Sequence, residues 1–197
     1  GKHKKTTAAI LSSIVSTFVS FLLAVLIIKL YKNPIPYWTL DIGAFFVKHS
    51  DMWYWKGDYD KTTEDLGYRE LFARWYQQAC FLPLFRVHGT DCRRELWYFG
   101  EKGEPFYDAI EKANKLRYEL MPYIYSLAGK VWLEDGSMIK PLSFAFPKDK
   151  KVWDMKDQYM FGDDILFAPI LNYGQRKRTV YLPKGRWVLT RDRMGYA

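Results

Sequence analysis

Residues 35–46, "IPYWTLDIGAFF", place one acidic residue, Asp41, in a run of otherwise apolar or neutral side chains. Pro34 and Pro36 exclude a helix at the start of this run, and its aromatic and β-branched residues favour a short buried strand that ends at Gly43. A carboxylate at such a strand end either caps the following loop, as aspartate commonly does in turns, or serves a site at that edge of the sheet. These residues alone leave both interpretations open.

The next segments of the chain alternate between helical and strand-like patterns. Apolar residues at helical spacing predict a helix over 68–81, "LFRVH" at 84–88 is strand-like, and a second helical pattern covers 104–130. Pro122 is expected to kink or split that second helix. The order strand, helix, strand, helix predicts an α/β fold with parallel strands.

Beyond Gly136 the pattern changes to short apolar runs separated by Pro, Gly, Asn and charged turns. Such runs, among them "MIKPLSFAF", "YMFG", "ILFAPIL" and "RTVYLP", predict a β-rich, sandwich-like module. We therefore expect three parts: an apolar N-terminal segment over 1–33, an α/β part over 34–136 and a β part over 137–197.

Charge and cysteine content exclude several classes of function. The net charge of +8 is concentrated at the two ends, with +5 over residues 1–33 and +6 over 176–197, so the body of the chain carries −3. This distribution argues against a nucleic-acid groove. Two cysteines, Cys80 and Cys92, form neither a disulfide framework nor a metal-ligand spacing.

An uncharged run, "TTAAILSSIVSTFVSFLLAVLII", occupies residues 6–28 between clusters of lysine. It is long enough to span a bilayer as a helix and longer than the apolar region of a typical signal peptide. A buried helix of a soluble core is disfavoured because such a helix should show a polar face. A third interpretation is that the run is foreign to the remainder of the chain.

Four blocks of this chain, in this order and spacing, resemble the glycoside hydrolases of family 31, the α-glucosidase and α-xylosidase group. The blocks are "IPYWTLDIGAFF", "FARWYQQACFLPLFRVHGTD", "ANKLRYELMPYIYSLA" and "DQYMFGDDILFAPIL". The resemblance covers residues 35 to about 187. The long connection over 48–70 is closer to the bacterial α-xylosidase branch.

The resemblance implies the last two units of a (β/α)₈ TIM barrel, followed by the start of a β-sandwich domain. Active sites of such barrels lie at the carboxyl ends of the strands, where Asp41 and His88 would both be placed. By the family's motifs, Asp41 supports the −1 sugar pocket, Phe45 lines it, His88 hydrogen-bonds a sugar hydroxyl and Arg86 is a charge partner. The implied ligand is an oligosaccharide with α-linked xylose or glucose, with no cofactor and no metal.

Some residues near these motifs remain open or carry no assigned role. Ala44 replaces a glycine that is usual in the family, which is tolerable if the backbone there needs no positive φ. The cluster Trp53-Tyr54-Trp55 either stacks on a sugar or pins its loop to the barrel. His88 taken alone is more often a satisfied core or surface histidine. Several polar residues are expected to form a solvated loop surface: His49, Asp58, Asp60, Glu64 and Asp65.

The resemblance also implies that the chemistry lies elsewhere. Retaining glycosidases need two carboxyl groups, and in this family both are aspartates on earlier strands. No acidic residue precedes Asp41, and we do not assign Asp58, Asp91 or Asp163 to either role. The chain alone should therefore be inactive, and poorly stable as a partial barrel.

The loss of resemblance near residues 33–35 favours an altered reading frame, a truncation or a fusion over a genuine membrane anchor. The alternative function is a membrane-anchored, non-catalytic carbohydrate-binding or scaffold protein, held by residues 6–28. The compartment is left undetermined.

Overall fold

The computed structural model describes residues 37–51 and 57–190, all of which lie within one unit, Ile35–Ala197. The main elements are α1 (Leu66–Ala79), α2 (Pro105–Glu119), α3 (Met121–Glu134), β1 (Ile139–Pro141), α4 (Leu142–Ala145), β2 (Tyr159–Phe161) and β3 (Ile165–Phe167). Single turns of 3₁₀-helix cover Thr62–Glu64, Leu96–Tyr98 and Lys150–Val152.

The two segments predicted as parallel barrel strands lie side by side but do not form regular strands. Ile42 and Val87 make one parallel bridge, with the Ile42 N–H donating to Arg86 O at 3.3 Å. Further upstream, the N–H of Leu84 donates to Trp38 O at 3.1 Å. The predicted parallel relationship is thus confirmed, but the two short strands predicted here are reduced to a single bridge. A barrel strand is normally paired along both edges. Each of these short segments is paired along one edge only in the described residues, so it forms few ladder bonds.

Helix α1 confirms the helix predicted at 68–81, shifted two residues towards the N-terminus. The shift arises because Asp65 is the N-cap: its carboxylate accepts hydrogen bonds from Gly67 N at 2.7 Å and Tyr68 N at 3.2 Å. The helix buries Tyr68 and Phe72 among Val47, Phe99 and Ile110. Two of these rings stack, with the centroids of Phe72 and Phe99 4.0 Å apart.

The predicted split of the second helix is confirmed. Helix α2 ends at Glu119 and α3 begins at Met121, so that Pro122 lies in the first turn of α3, where its missing N–H has no intrahelical partner to lose. Helix α3 ends at Glu134 and is capped by Asp135, whose φ of +51° is left-handed.

The C-terminal part forms one antiparallel sheet with the order β1-β2-β3. Ile139 pairs with Phe161, and Phe161 pairs with Ile165. The predicted β runs "YMFG" and "ILFAPIL" are confirmed, since they contain β2 and β3. The run "MIKPLSFAF" is divided between β1 and α4. Residues 179–183, "TVYLP", contain no strand. A second sheet, which a sandwich requires, is absent from the described residues.

One core joins the α/β part to the sheet. Cys80 and Phe81 after α1, Leu127 in α3, and Phe161 and Phe167 in the sheet are buried together. The rings of Phe81 and Phe167 stack at 4.3 Å, and the Tyr159 hydroxyl donates to Phe81 O at 3.1 Å. Shared apolar packing thus fixes the sheet to the helices. The domain boundary predicted near Gly136 remains a prediction.

The apolar run over residues 6–28 and the cluster Trp53-Tyr54-Trp55 lie outside the described residues. Within residues 37–51 and 57–190, no helix has the length and apolar character needed to cross a membrane.

Candidate functional site

The parallel bridge between Ile42 and Val87 brings the four predicted sugar-contact residues to one edge of the fold. Because Ile42 pairs with Val87, Asp41 lies level with Arg86, and His88 lies level with Gly43. The edge is formed by the loops that leave these two segments, as expected for the carboxyl ends of parallel barrel strands.

Asp41 and Arg86 form a direct ion pair in which Arg86 Nη2 donates to Asp41 Oδ1. The Asp41 side chain is 31% exposed and that of Arg86 is 51% exposed. Both groups therefore keep hydrogen-bonding capacity towards solvent, since a carboxylate has several acceptor positions and a guanidinium has five donors.

Phe45 and His88 form a second pair at the same edge. Their ring centroids lie 5.4 Å apart with an interplanar angle of 49°. His88 is exposed and Phe45 is half-buried. A neighbouring aromatic ring and imidazole offer an apolar face and a hydrogen-bonding group, which suits a sugar ring with its hydroxyls.

The turn that links Asp41 to Phe45 is held in a left-handed backbone conformation. Gly43 has a φ of +85°, and a side chain there would place its Cβ 2.5 Å from the ring of Phe72. Ala44 has a φ of +66°. The condition under which an alanine would be tolerable at this position, a backbone without positive φ, is therefore not met, and this backbone conformation disfavours a Cβ.

The same turn is held from helix α1 by a buried hydroxyl. Tyr68 is fully buried and donates to Gly43 O at 2.8 Å. Burial raises the pKa of Tyr68, with a further contribution from the neighbouring Cys92. Tyr68 therefore stays protonated and acts as a structural donor to the turn.

Sequence reasoning missed two residues that contact this turn and the chain after it. Asp91 accepts hydrogen bonds from the N–H groups of Val47, at 2.9 Å and 3.0 Å, and Lys48, at 2.8 Å. Arg94 Nη2 donates to Ala44 O at 2.6 Å. The available signal was an acid and an arginine three residues apart, directly after the "FRVH" motif.

Other acids near the predicted loop have structural partners. Asp60 is exposed, as expected of a solvated loop, and accepts from His49 N at 2.8 Å. Asp65 departs from that expectation, because it is half-buried and caps α1. Asp163 pairs with Lys140, and with Lys130 at 3.0 Å. The hydrogen bonds from Lys140 and then Lys130 hold the pKa of Asp163 below its usual value. Among the described residues, no group of His, Cys, Asp and Glu is arranged to hold a metal ion.

The sequence matches two family profiles that together cover most of its length. One is the glycosyl hydrolases family 31 TIM-barrel domain, over residues 26–127, and the other is the glycosyl hydrolase family 31 C-terminal domain, over 135–196. These matches extend beyond residues 35–187 at both ends. They begin within the apolar run and include the C-terminal tail.

Named relatives are similar over the same part of the chain. An α-xylosidase of Saccharolobus solfataricus is 38% identical over 149 residues, which is 76% of this chain and 18% of that protein. Alpha-glucosidase 2 of Bacillus thermoamyloliquefaciens is 36% identical over 121 residues, 60% of this chain and 15% of that protein. This chain thus spans less than a fifth of either relative.

The fold agrees with these similarities. The crystal structure of an α-xylosidase from Xanthomonas citri superposes with a TM-score of 0.67 at 40% identity, covering 76% of this chain and 16% of that one. These similarities are to glycosidases and give no support to the alternative of a membrane-anchored, non-catalytic binding protein.

Proposed function

Because this chain belongs to glycosyl hydrolase family 31, we propose that it supplies part of the sugar-binding rim of a glycosidase that cleaves α-linked xylose or glucose. The observation that carries the proposal is the arrangement of the four motif residues in two contacting pairs at one edge. Asp41 pairs with Arg86, and Phe45 contacts His88. Each pair leaves polar atoms exposed, as a ligand rich in hydroxyls requires.

Within this site, Asp41 and His88 are assigned to hydrogen bonds with sugar hydroxyls in the −1 pocket, and Phe45 to its wall. Arg86 is assigned to orienting the Asp41 carboxylate, since a charged donor fixes the direction in which the remaining lone pairs point. An α-xyloside is the favoured substrate class, because the α-xylosidases of Saccharolobus solfataricus and Xanthomonas citri are 38% and 40% identical to this chain.

The proposed reaction of the complete enzyme is a retaining double displacement. It needs a nucleophilic carboxylate and a general acid/base carboxyl about 5 Å from each other. We assign neither to this chain: Asp41 is paired with Arg86, Asp91 accepts from backbone N–H groups, and Asp163 is paired with two lysines. The isolated chain is therefore expected to bind sugar without hydrolysing it.

A chimera tests the catalytic part of the proposal. Residues 35–190 replace the matching segment of the Saccharolobus α-xylosidase, and hydrolysis of an aryl α-D-xyloside is measured. We expect activity in the chimera and its loss to below a few per cent in Asp41→Asn and His88→Ala. His49→Ala is the matched control, because His49 lies on the neighbouring loop and its backbone, not its side chain, bonds Asp60. Equal activity in all four proteins would refute the assignment.

A binding measurement on the chain itself separates the two sugars. Methyl α-D-xyloside and methyl α-D-glucoside are titrated into the full 197-residue chain and followed by NMR. Tighter binding of the xyloside supports the favoured substrate class, and tighter binding of the glucoside reverses it.

A further inference from the structure

Two loops face each other at the candidate site and are joined by their backbones. The motif loop, Gly43–Lys48, carries Phe45, and the clamp loop, Gly89–Arg94, follows His88. Neither loop belongs to a helix or a strand. The motif loop begins with two residues of positive φ, so its conformation is not one that the chain adopts without support.

Arg94 reaches across from the clamp loop to the start of the motif loop. Its side chain is 6% exposed. One guanidinium nitrogen, Nη2, donates to Ala44 O at 2.6 Å, and the other, Nη1, donates to Cys92 O in its own loop at 2.6 Å. A Cβ on Gly89 would lie 2.2 Å from Nη2, so this approach requires the glycine.

Asp91 and Thr90 hold the rest of the motif loop. The Asp91 carboxylate accepts from both Val47 N and Lys48 N and lies 3.9 Å from the Arg94 guanidinium. The Thr90 N–H donates to Phe45 O at 3.0 Å. The clamp loop therefore fixes the carbonyl groups of Ala44 and Phe45 and the N–H groups of Val47 and Lys48.

This arrangement carries a cost in stability. The Arg94 side chain is buried beside the Asp91 carboxylate, but the two groups are too far apart for a hydrogen bond. Arg94 Nε is buried and has no hydrogen-bond partner among the described residues. Ala44 is held at a φ of +66° by the same contacts. Unsatisfied buried donors and backbone strain of this kind concentrate at functional sites, where they hold a required geometry.

We propose that Arg94 and Asp91 are positioning residues that fix the motif loop so that Phe45 is presented to the sugar beside His88. Neither residue needs to touch the sugar, because each acts through backbone groups of the motif loop. The inference rests on the proposed function for the sugar, while the fixing of the loop itself is independent of any ligand.

The test compares variants of the full chain in two measurements. The dissociation constant for methyl α-D-xyloside is measured by NMR titration, and hydrogen exchange is measured at the Thr90 and Val47 amides. The variants are Arg94→Met, which removes both donors, and Asp91→Asn, which replaces an acceptor oxygen by a donor. Arg93→Met is the matched control, because Arg93 is exposed and donates to the Tyr98 hydroxyl instead.

We expect both variants to bind the xyloside roughly tenfold or more weakly than the wild type, and to exchange these amides faster, while Arg93→Met changes neither. Arg94→Lys serves if Arg94→Met does not fold, because one ammonium cannot reproduce the planar fork that bonds two carbonyls. Variants that fold and match Arg93→Met in affinity and in exchange would overturn the inference. A wild-type chain that binds no xyloside refutes the proposed binding function instead, and the exchange rates still decide the role of the clamp loop.

Discussion

Asp41 and Arg86, separated by 45 positions in the sequence, are joined by a hydrogen bond from guanidinium to carboxylate at the edge where two parallel segments meet. The pair is half open to solvent, and exposed ion pairs contribute less than about 1 kcal/mol to folding. Under the proposed function, the pair serves ligand binding beside Phe45 and His88 more than stability.

This explanation predicts that the pair matters more for affinity than for folding. Arg86→Ala and Asp41→Asn should each weaken binding of methyl α-D-xyloside, and the double variant should lose less than the sum, because the two groups act as one unit. Their free energies of unfolding, measured in urea, should stay within about 1 kcal/mol of the wild type. Large losses of stability with unchanged affinity would show that the pair is structural.

The left-handed conformation at Ala44 predicts a stabilising substitution. Ala44→Gly removes the Cβ that a φ of +66° disfavours and should raise the free energy of unfolding by about 1 kcal/mol. Ala128→Gly is the matched control and should destabilise by a similar amount, because Ala128 lies inside α3. Urea denaturation of both variants checks the signs. A destabilising Ala44→Gly would mean that the gain in unfolded-chain entropy outweighs the relief of strain.

The helices were predictable because their determinants are local. Asp65 supplies a cap, Pro105 and Pro122 mark two first turns, and apolar residues repeat at helical spacing. The strand content of the two parallel segments was not predictable, because pairing along both edges depends on neighbours that a sequence window does not contain. Here that pairing reduces to one bridge, between Ile42 and Val87.

The candidate site was predictable only where the side chains that define it belong to short motifs. Asp41, Phe45, Arg86 and His88 were identified in this way, and the structure places them in two contacting pairs. Asp91 and Arg94 were missed because they bind backbone groups. The position of a backbone group depends on the fold and cannot be recognised from which residue type carries it. Glu70 was missed for a similar reason, because the two groups that donate to it, Gly174 N and Arg176 Nη1, lie more than 100 residues away in the sequence.

Glu70 connects helix α1 to the loop that follows the C-terminal sheet. Its carboxylate is buried and accepts from Gly174 N at 3.0 Å and Arg176 Nη1 at 2.9 Å, with Arg74 at 3.6 Å. Burial opposes ionisation, but the hydrogen bonds from Arg176 and Gly174 and the two arginine charges outweigh it and hold the pKa of Glu70 below its usual value.

A depressed pKa in the folded state gives a definite sign to the pH dependence. The contribution of Glu70 is fully present above the unfolded pKa near 4.5 and is lost as the pH falls through the lower folded value. Glu70→Gln should therefore destabilise the chain at about pH 6 and should lose less stability than the wild type between about pH 6 and about pH 3. Glu111→Gln, at the surface of α2, is the control and should follow the wild type. Parallel curves for wild type and Glu70→Gln would contradict the assignment.

Arg117 supports the segment that leads into the site. It is 8% exposed, and its guanidinium donates to the carbonyls of Cys80 at 2.9 Å, Leu82 at 2.5 Å and Pro83 at 2.9 Å. It also lies over the ring of Phe85, with the guanidinium carbon 5.8 Å from the centroid. Burial lowers the pKa of Arg117, although an arginine remains protonated at neutral pH.

Replacing Arg117 should therefore damage both folding and binding. Arg117→Met leaves three buried carbonyls without their donor and should destabilise the chain by about 2–3 kcal/mol, because unsatisfied buried groups bear the full cost of desolvation. Since Pro83 is followed directly by the segment that carries Arg86 and His88, the xyloside affinity of the folded fraction should also fall. Lys115→Met, two residues earlier and 66% exposed, should change stability by less than about 0.5 kcal/mol and leave affinity unchanged. Urea denaturation measures the stability of the two variants, and NMR titration measures their affinity for the xyloside. Equal stability and equal affinity in both variants would show that the three carbonyls find other donors.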